Sequence, residues 1–166
     1  MEHVIGVAGC GRMGAPMLAC LRDADLNARG FDIRPPESYG TLAPAMTDDA
    51  QAFCQGMTTL VTVVRDADQT DALLFDDQNL IERALDLEFI VICSTLSPAY
   101  VRGLRSRVPD RIRLVDAPMS GAVVGADTGQ LNFMLGGEPQ DHAALAPLLD
   151  AMGCAVIPRG PFGSGA

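Results

Sequence analysis

Six residues near the N-terminus, Gly9-Cys10-Gly11-Arg12-Met13-Gly14, have the types and spacing to hold a phosphate ester. The pattern G-x-G-x-x-G puts side-chain-free residues where a strand turns sharply into a helix. Gly9 permits the turn, Gly11 leaves the backbone bare for an approaching pyrophosphate, and Gly14 lets the helix pack closely on the strand. Backbone N–H groups around Arg12 and Met13, reinforced by the helix dipole, then face the diphosphate of a dinucleotide. The glycines by themselves suit any tight strand–helix turn, and the chain has 17 of them. Their setting singles them out, since they directly follow an apolar strand-like run and open a helical one. The same pattern asks for an acid roughly 20 residues on, at the end of the second strand. Asp32, in Gly30-Phe31-Asp32, stands there. Its carboxylate is suited to accept hydrogen bonds from the adenosine ribose hydroxyls and repels a 2′-phosphate, which favours NAD over NADP. Arg34 is suited to accept a 2′-phosphate and keeps NADP open.

The elements that must position these groups alternate along the chain. Continuous apolar or β-branched runs predict strands at 3–8, 28–33, 59–64, 89–93 and 112–116. Helical spacing predicts a helix over 12–21, a short one from Thr47 with Thr-Asp-Asp as its cap, one from Asp66 to Phe75, and one opened by Ser97-Pro98. Residues 120–129, rich in Gly and Ala, read as a loop with at most one helical turn. A strand at 131–135, a helix at 138–152 and a short strand at 155–158 follow, and 160–166 reads as a glycine-rich stretch without a closing element. Strand–helix alternation implies right-handed crossovers and a Rossmann-like, doubly wound, mostly parallel sheet in a three-layer αβα domain covering 1–166. Ligands of such sheets sit at the carboxyl ends of the strands.

Composition narrows the function. A formal net charge of −9 repels nucleic-acid backbones. No apolar run reaches the ~20 residues of a membrane span, and Met1-Glu2-His3 does not open a signal peptide, so the chain reads as cytoplasmic. The cysteines, Cys10, Cys20, Cys54, Cys93 and Cys154, are odd in number and form no C-x-x-C pair, which argues against a disulfide framework or zinc site and for small core residues. All twelve basic residues are arginines; there is no lysine, and the only histidines are His3, starting the first strand, and His142, on the outer face of a helix. The usual proton donors for carbonyl reduction are therefore almost missing.

The run Ile5 to Met17, I-G-V-A-G-C-G-R-M-G-A-P-M, resembles the opening of the β-hydroxyacid dehydrogenases, the family of 3-hydroxyisobutyrate dehydrogenase and tartronate semialdehyde reductase. Ser94-Thr95-Leu96-Ser97-Pro98 resembles the family's S-T-x-x-P. Asp116-Ala117-Pro118-Met119-Ser120-Gly121 resembles its D-A-P-V-S-G, and Gly125-Ala126, Gly129-Gln130-Leu131 and Gly136-Gly137 follow in the family's order.

The resemblance implies a cofactor site of Gly9, Cys10, Gly11, Arg12, Met13, Gly14 and Asp32, bordered by Val64 and Arg65, with Thr95 beside the nicotinamide ribose. It implies that Ser120, Gly121 and Ala122 hold the carboxylate of a small substrate through hydroxyl and backbone N–H donors. Thr95 and Ser120 are equally suited to ordinary strand-end capping. Ala122 departs from the family, which usually has a second glycine there, and Arg65 stands where a proline or small residue is common. Gly160-Pro161-Phe162-Gly163-Ser164-Gly165-Ala166 matches the start of the family's linking segment. The resemblance therefore implies a helical domain after residue 166 that carries the catalytic lysine and pairs subunits into a homo-oligomer. No catalytic residue is then expected within 1–166, and the chain by itself is expected to bind NAD(P) and turn over poorly. Two other readings stand beside this one: an imine reductase with the same first domain and another proton donor, and a non-catalytic nucleotide-binding module that associates through apolar surface near Val156 to Phe162.

Overall fold

A computed structural model describes residues 3–166; the Met1-Glu2 start lies outside them. Strands β1 (Ile5–Ala8), β2 (Ala28–Phe31), β3 (Met46–Thr47), β4 (Thr59–Thr62), β5 (Phe89–Ile92) and β6 (Arg113–Asp116) run parallel in the order β3-β2-β1-β4-β5-β6. β6 continues through Ala117 and Pro118 into β7 (Met119–Ser120), and both pair antiparallel with β8 (Leu131–Gly136). β9 (Gly153–Gly160) lies parallel to β8 and forms an outer edge. The sheet is thus mostly parallel, as the alternation predicts. The chain leaves β1 for β2 on one side and later returns to β4 on the other, which makes the carboxyl end of β1 the switch point where open α/β sheets bind ligands.

Helices cover both faces because successive strand residues point to opposite sides. Val7, Val61, Val91 and Val115 face a core closed by α1 (Gly14–Asp23), α6 (Ala122–Thr128) and α7 (Pro139–Met152). Leu60, Ile90, Ile92 and Leu114 face a second core closed by α2 (Ala50–Cys54), α3 (Ala67–Leu74), α4 (Leu80–Arg83) and α5 (Pro98–Arg107). Both faces of the central strands are buried, so those strands read as unbroken apolar runs.

Several expectations need correction. The helix placed at Thr47 starts later: Thr47 ends β3, and Asp49 caps α2 by accepting from the N–H of Gln51 and Ala52. The Gly/Ala stretch at 120–129 forms a helix of two turns, α6, because Ala126 and Gly125 are buried against the first core and the sheet supplies what propensity does not. The last strand runs the full length of β9 rather than 155–158. Two short 3-10 helices within Pro36–Ala45, separated by a kink at Gly40 (φ +58°), bridge β2 and β3, and no spacing announces them. The strands at 28–33, 59–64 and 89–93 leave the ladder one or two residues early, and the freed residues form the rim of the sheet. The first strand begins at Ile5, leaving His3 exposed before it. His142 is half-buried rather than outward-facing, with its Nε2 shut in and without a hydrogen-bond partner. The surface at Val156 to Phe162 is partly covered: Val156 packs on the first core and Phe162 on the second, while Ile157 is 43% exposed.

Candidate functional site

The strand–helix corner after β1 is built as its glycines require. Gly9 has φ +92°, and a Cβ there would stand 2.9 Å from the carbonyl carbon and oxygen of Val63. Gly14 opens α1 so close to the turn that a Cβ would come within 2.0 Å of Gly9 O. Gly11 is the opposite case: it is exposed, and nothing lies within 4 Å of the Cβ position. Gly9 and Gly14 are thus required by the protein's own packing, whereas Gly11 keeps open a space that the protein does not fill. Met13 is the N-cap of α1 and makes no side-chain cap hydrogen bond. Ala15 N–H already donates to Gly11 O at 3.1 Å and Pro16 has no N–H, so Gly14 supplies the helix's first N–H beside the Arg12–Met13 turn, with no side chain capping it.

The corner forms one end of a cleft of about 920 Å³ along the carboxyl edge of the parallel strands. Its wall includes Gly9, Gly11, Arg12, Met13, Asp32, Val64, Arg65 and Thr95. These residues come from the ends of β1, β2, β4 and β5, which only the β3-β2-β1-β4-β5-β6 order brings side by side. Two of the expected cofactor residues stand behind this wall. Gly14 is buried beneath the turn. Cys10 is fully buried with its thiol donating to Val7 O, and its carbonyl accepts from the Arg34 guanidinium at 2.8 Å and the Tyr39 hydroxyl at 2.9 Å. Burial, helped by the Asp32 charge, pushes the Cys10 thiol up to about 12, so it is no nucleophile.

Asp32 is held by its neighbours. Partial burial raises its carboxyl, but the Arg34 backbone N–H at 3.2 Å and the Arg34 guanidinium at 3.5 Å outweigh that and keep it below the usual carboxylate range. Arg34 also lies over the Tyr39 ring, 5.3 Å from its centre. Arg34 therefore braces the acid and the glycine turn together. Ile33, between them, is 80% exposed and lines the cleft, an apolar surface offered to solvent beside the acid.

At the other end stand Ser94, Thr95 and Met119. Ser94, which sequence reasoning passed over, is only 6% exposed, and its Oγ has no hydrogen-bond partner. A buried hydroxyl without a partner is costly, about 1–3 kcal/mol, so its presence on a cleft wall suits a bound polar group. Its signal was its place beside Thr95 in the strand-end motif. Ser97 is a helix cap instead, accepting from the Tyr100 N–H. Arg65 is exposed, and its backbone N–H donates to Gln69 Oε1, which ties the cleft rim to α3.

Ser120, Gly121 and Ala122 are exposed just beyond Met119, at the mouth rather than on the wall. Gly121 has φ +124° and Ala122 φ +53°. The Ala122 value shows what the departure noted in the sequence costs: the position takes a left-handed conformation that glycine adopts without strain, and nothing in the structure explains the alanine.

The open cradle at Gly11, the uncapped first turn of α1, the acid at the second strand and the orphaned Ser94 Oγ fit a dinucleotide laid along the strand ends. A second hollow, of about 520 Å³, lies around Cys54, Gly56, Arg83 and Asp86, where the chain leads into β4 and β5 at their amino ends, away from the carboxyl edge and without a G-x-G-x-x-G corner. Among the described residues no group of three or more His, Cys, Asp or Glu is placed to hold a metal ion, and no helix is long and apolar enough to cross a membrane.

Comparison with known proteins places this geometry. The chain is 30% identical to 3-hydroxyisobutyrate dehydrogenase of Pseudomonas aeruginosa over 97% of its own length and 55% of that protein. It superposes on the structure of Mycobacterium tuberculosis 3-hydroxyisobutyrate dehydrogenase with L-serine at a TM-score of 0.86 and 27% identity, covering 99% of this chain and 57% of that one. An imine reductase of Myxococcus stipitatus in complex with NAD+ shares the fold at a TM-score of 0.85 but only 19% identity, covering 99% of this chain and 56% of that one. The chain therefore spans about half the length of the curated relatives it matches. Residues 4–160 match the model of the NAD binding domain of 6-phosphogluconate dehydrogenase, and the chain belongs to that family.

Proposed function

We propose that residues 1–166 are the cofactor-binding part of an NAD-dependent oxidoreductase of the 3-hydroxyisobutyrate dehydrogenase type, which moves hydride between nicotinamide and a small β-hydroxy acid or its semialdehyde. The observation that carries this is the bare backbone at Gly11 on the wall of one cleft with Asp32, at the switch point of a parallel sheet. NAD supplies the hydride acceptor at its nicotinamide ring. The chain's own residues do the holding. The N–H groups of the Arg12–Gly14 turn bind diphosphate, Asp32 accepts from ribose hydroxyls, and Val64, Arg65, Ser94 and Thr95 border the nicotinamide end. Ser120, Gly121 and Ala122 offer hydroxyl and N–H donors to a substrate carboxylate at the mouth.

The proton that accompanies hydride transfer needs a donor that this stretch does not offer. It has no lysine, and neither histidine lies on the cleft wall. In this reading the donor comes from a helical domain outside residues 1–166, which also pairs subunits, and the whole protein works in the cytoplasm on a small carboxylate. The likeness to an imine reductase bears on fold alone, and a mouth rich in anion-binding donors suits a hydroxy acid better than a cyclic imine.

Calorimetric titration of the 166-residue chain with NAD and with NADP tests the cofactor half of the proposal. Saturable binding with NAD the tighter ligand is expected. NADP as the tighter ligand would remove the role given to Asp32, and no binding of either would remove the proposal.

A further inference from the structure

Asp116 is a carboxylate where the pattern of its strand calls for an apolar residue. It ends β6 on the same face as Leu114, which belongs to the second core, and it is only 1% exposed. A lone buried carboxylate is strongly disfavoured, so its partners show what it is for. They come from 47 and 50 residues away: Gly163 N–H donates to Oδ1 at 2.7 Å, and Ala166 N–H donates to Oδ2 at 2.8 Å. Each oxygen takes one charge-assisted bond from the backbone.

The surroundings are shaped to this grip. A Cβ at Gly136 would stand 2.1 Å from Asp116 Oδ1 and 2.8 Å from the Ser164 nitrogen. A Cβ at Gly165 would stand 2.3 Å from Met134 O and 2.9 Å from Asp116 Oδ2. Both positions must lack side chains for 160–166 to cross β8 and reach the carboxylate. Phe162 anchors the same segment apolarly: like Leu96 and Tyr100, it is a partly buried residue packed against the second core. Met134, under Gly165, donates its N–H to Pro118 O, at the root of the turn that leads to Ser120 and Gly121.

We propose that Asp116 is a positioning residue: its carboxylate fastens residues 160–166 across the end of β6 and β8, so that this segment and the root of the Pro118–Gly121 turn form one rigid body. The glycine-rich stretch that reads as loose in the sequence is thereby given a fixed path. The inference rests on the proposed function only in its consequence, namely that a domain following residue 166 starts from a heading set by Asp116 relative to the substrate turn.

Amide hydrogen exchange on the 15N-labelled chain tests it. Chain ends ordinarily fray. Here the amides of Gly163 and Ala166 are expected to exchange on the order of ten- to a hundredfold more slowly than exposed loop amides. Asp116→Leu, whose side chain suits the apolar face, should lose protection at both. Asp116→Asn keeps one acceptor and turns the other into a donor, so protection should survive at one of the two amides and be lost at the other, a split that general destabilisation does not produce. Amides in β1 and β5 show whether each variant remains folded. Fast exchange at Gly163 and Ala166 in the unsubstituted chain overturns the proposal without any variant, and so does unchanged protection in folded Asp116→Leu. The two readings fail separately, since Asp116 is not on the cleft wall: NAD affinity should stay within about twofold in both variants, and a chain that binds no NAD but protects both amides removes the proposed function and leaves the clamp.

Discussion

Replacing Gly11 by alanine separates the needs of a ligand from the needs of the fold. Nothing lies within 4 Å of a Cβ at Gly11, and its φ lies outside the range that penalises L-residues. The folded chain accepts the methyl without a clash, and the unfolded chain loses freedom, so stability should hold or rise by about 0.5 kcal/mol. The same methyl stands where the pyrophosphate must meet bare backbone. Displacing the phosphates by about one bond length takes N–H···O contacts beyond hydrogen-bonding range, and losing one or two charge-assisted bonds weakens NAD by ten- to a hundredfold, roughly 1.5–3 kcal/mol. Gly14→Ala makes the contrast, because its Cβ would meet Gly9 O at 2.0 Å and the backbone must shift. That variant should lose about 2 kcal/mol or more of stability together with binding. Urea denaturation and NAD calorimetry on both variants give the four numbers needed. A Gly11→Ala chain that binds NAD as tightly as the parent refutes the reasoning, since the open cradle would then not be where the diphosphate lies.

Other outcomes follow from the same structure. Asp32 has its folded-state carboxyl held below the usual range, so it contributes stability that is fully present above about pH 4 and is lost as pH falls through its folded value; Asp32→Asn should flatten the acid limb of a stability–pH curve and, in a binding titration, move preference toward NADP. Ala122, at φ +53°, should gain about 1 kcal/mol on replacement by glycine, raising the melting temperature by roughly 2–4 °C in a thermal scan. Under native conditions at pH 8 a thiol reagent should modify exposed Cys154 first and leave Cys10 and Cys93, both buried and pushed up to about 12, and Cys54, buried and pushed up to about 11, unreacted until the chain unfolds; mass mapping of the labelled chain checks the order.

The parts of the fold that were legible in the sequence are those where local pattern and tertiary need coincide. The central strands are buried on both faces, so Thr59-Leu60-Val61-Thr62 and Phe89-Ile90-Val91-Ile92 announce themselves, and Ser97-Pro98 is a helix start by composition alone. Gly9, Gly11, Gly14 and Asp32 were legible because their spacing is set by one short strand–helix–strand unit. What stayed hidden depends on partners far along the chain. Residues 122–128 are helical because the first core holds them, against the preference of a Gly/Ala stretch for a loop. His142 reads as outward by helical phase, yet its Nε2 is buried, and a side chain at Gly137 would press on it, with a Cβ 3.3 Å away. The carboxylate of Asp116 meets donors 47 and 50 residues later, which no local window can show. Cys10 looks like part of a ligand turn, but its thiol and carbonyl are already engaged with Val7, Arg34 and Tyr39.

The central claim, that backbone at the first β–α corner receives a dinucleotide diphosphate, is met most directly by mapping amide shifts of the 15N-labelled chain as NAD is added to saturation. We expect the largest changes at Gly11, Arg12, Met13 and Gly14, with further ones at Asp32 and Thr95. Changes confined to the hollow around Gly56 and Arg83, or no saturable change anywhere, would contradict it.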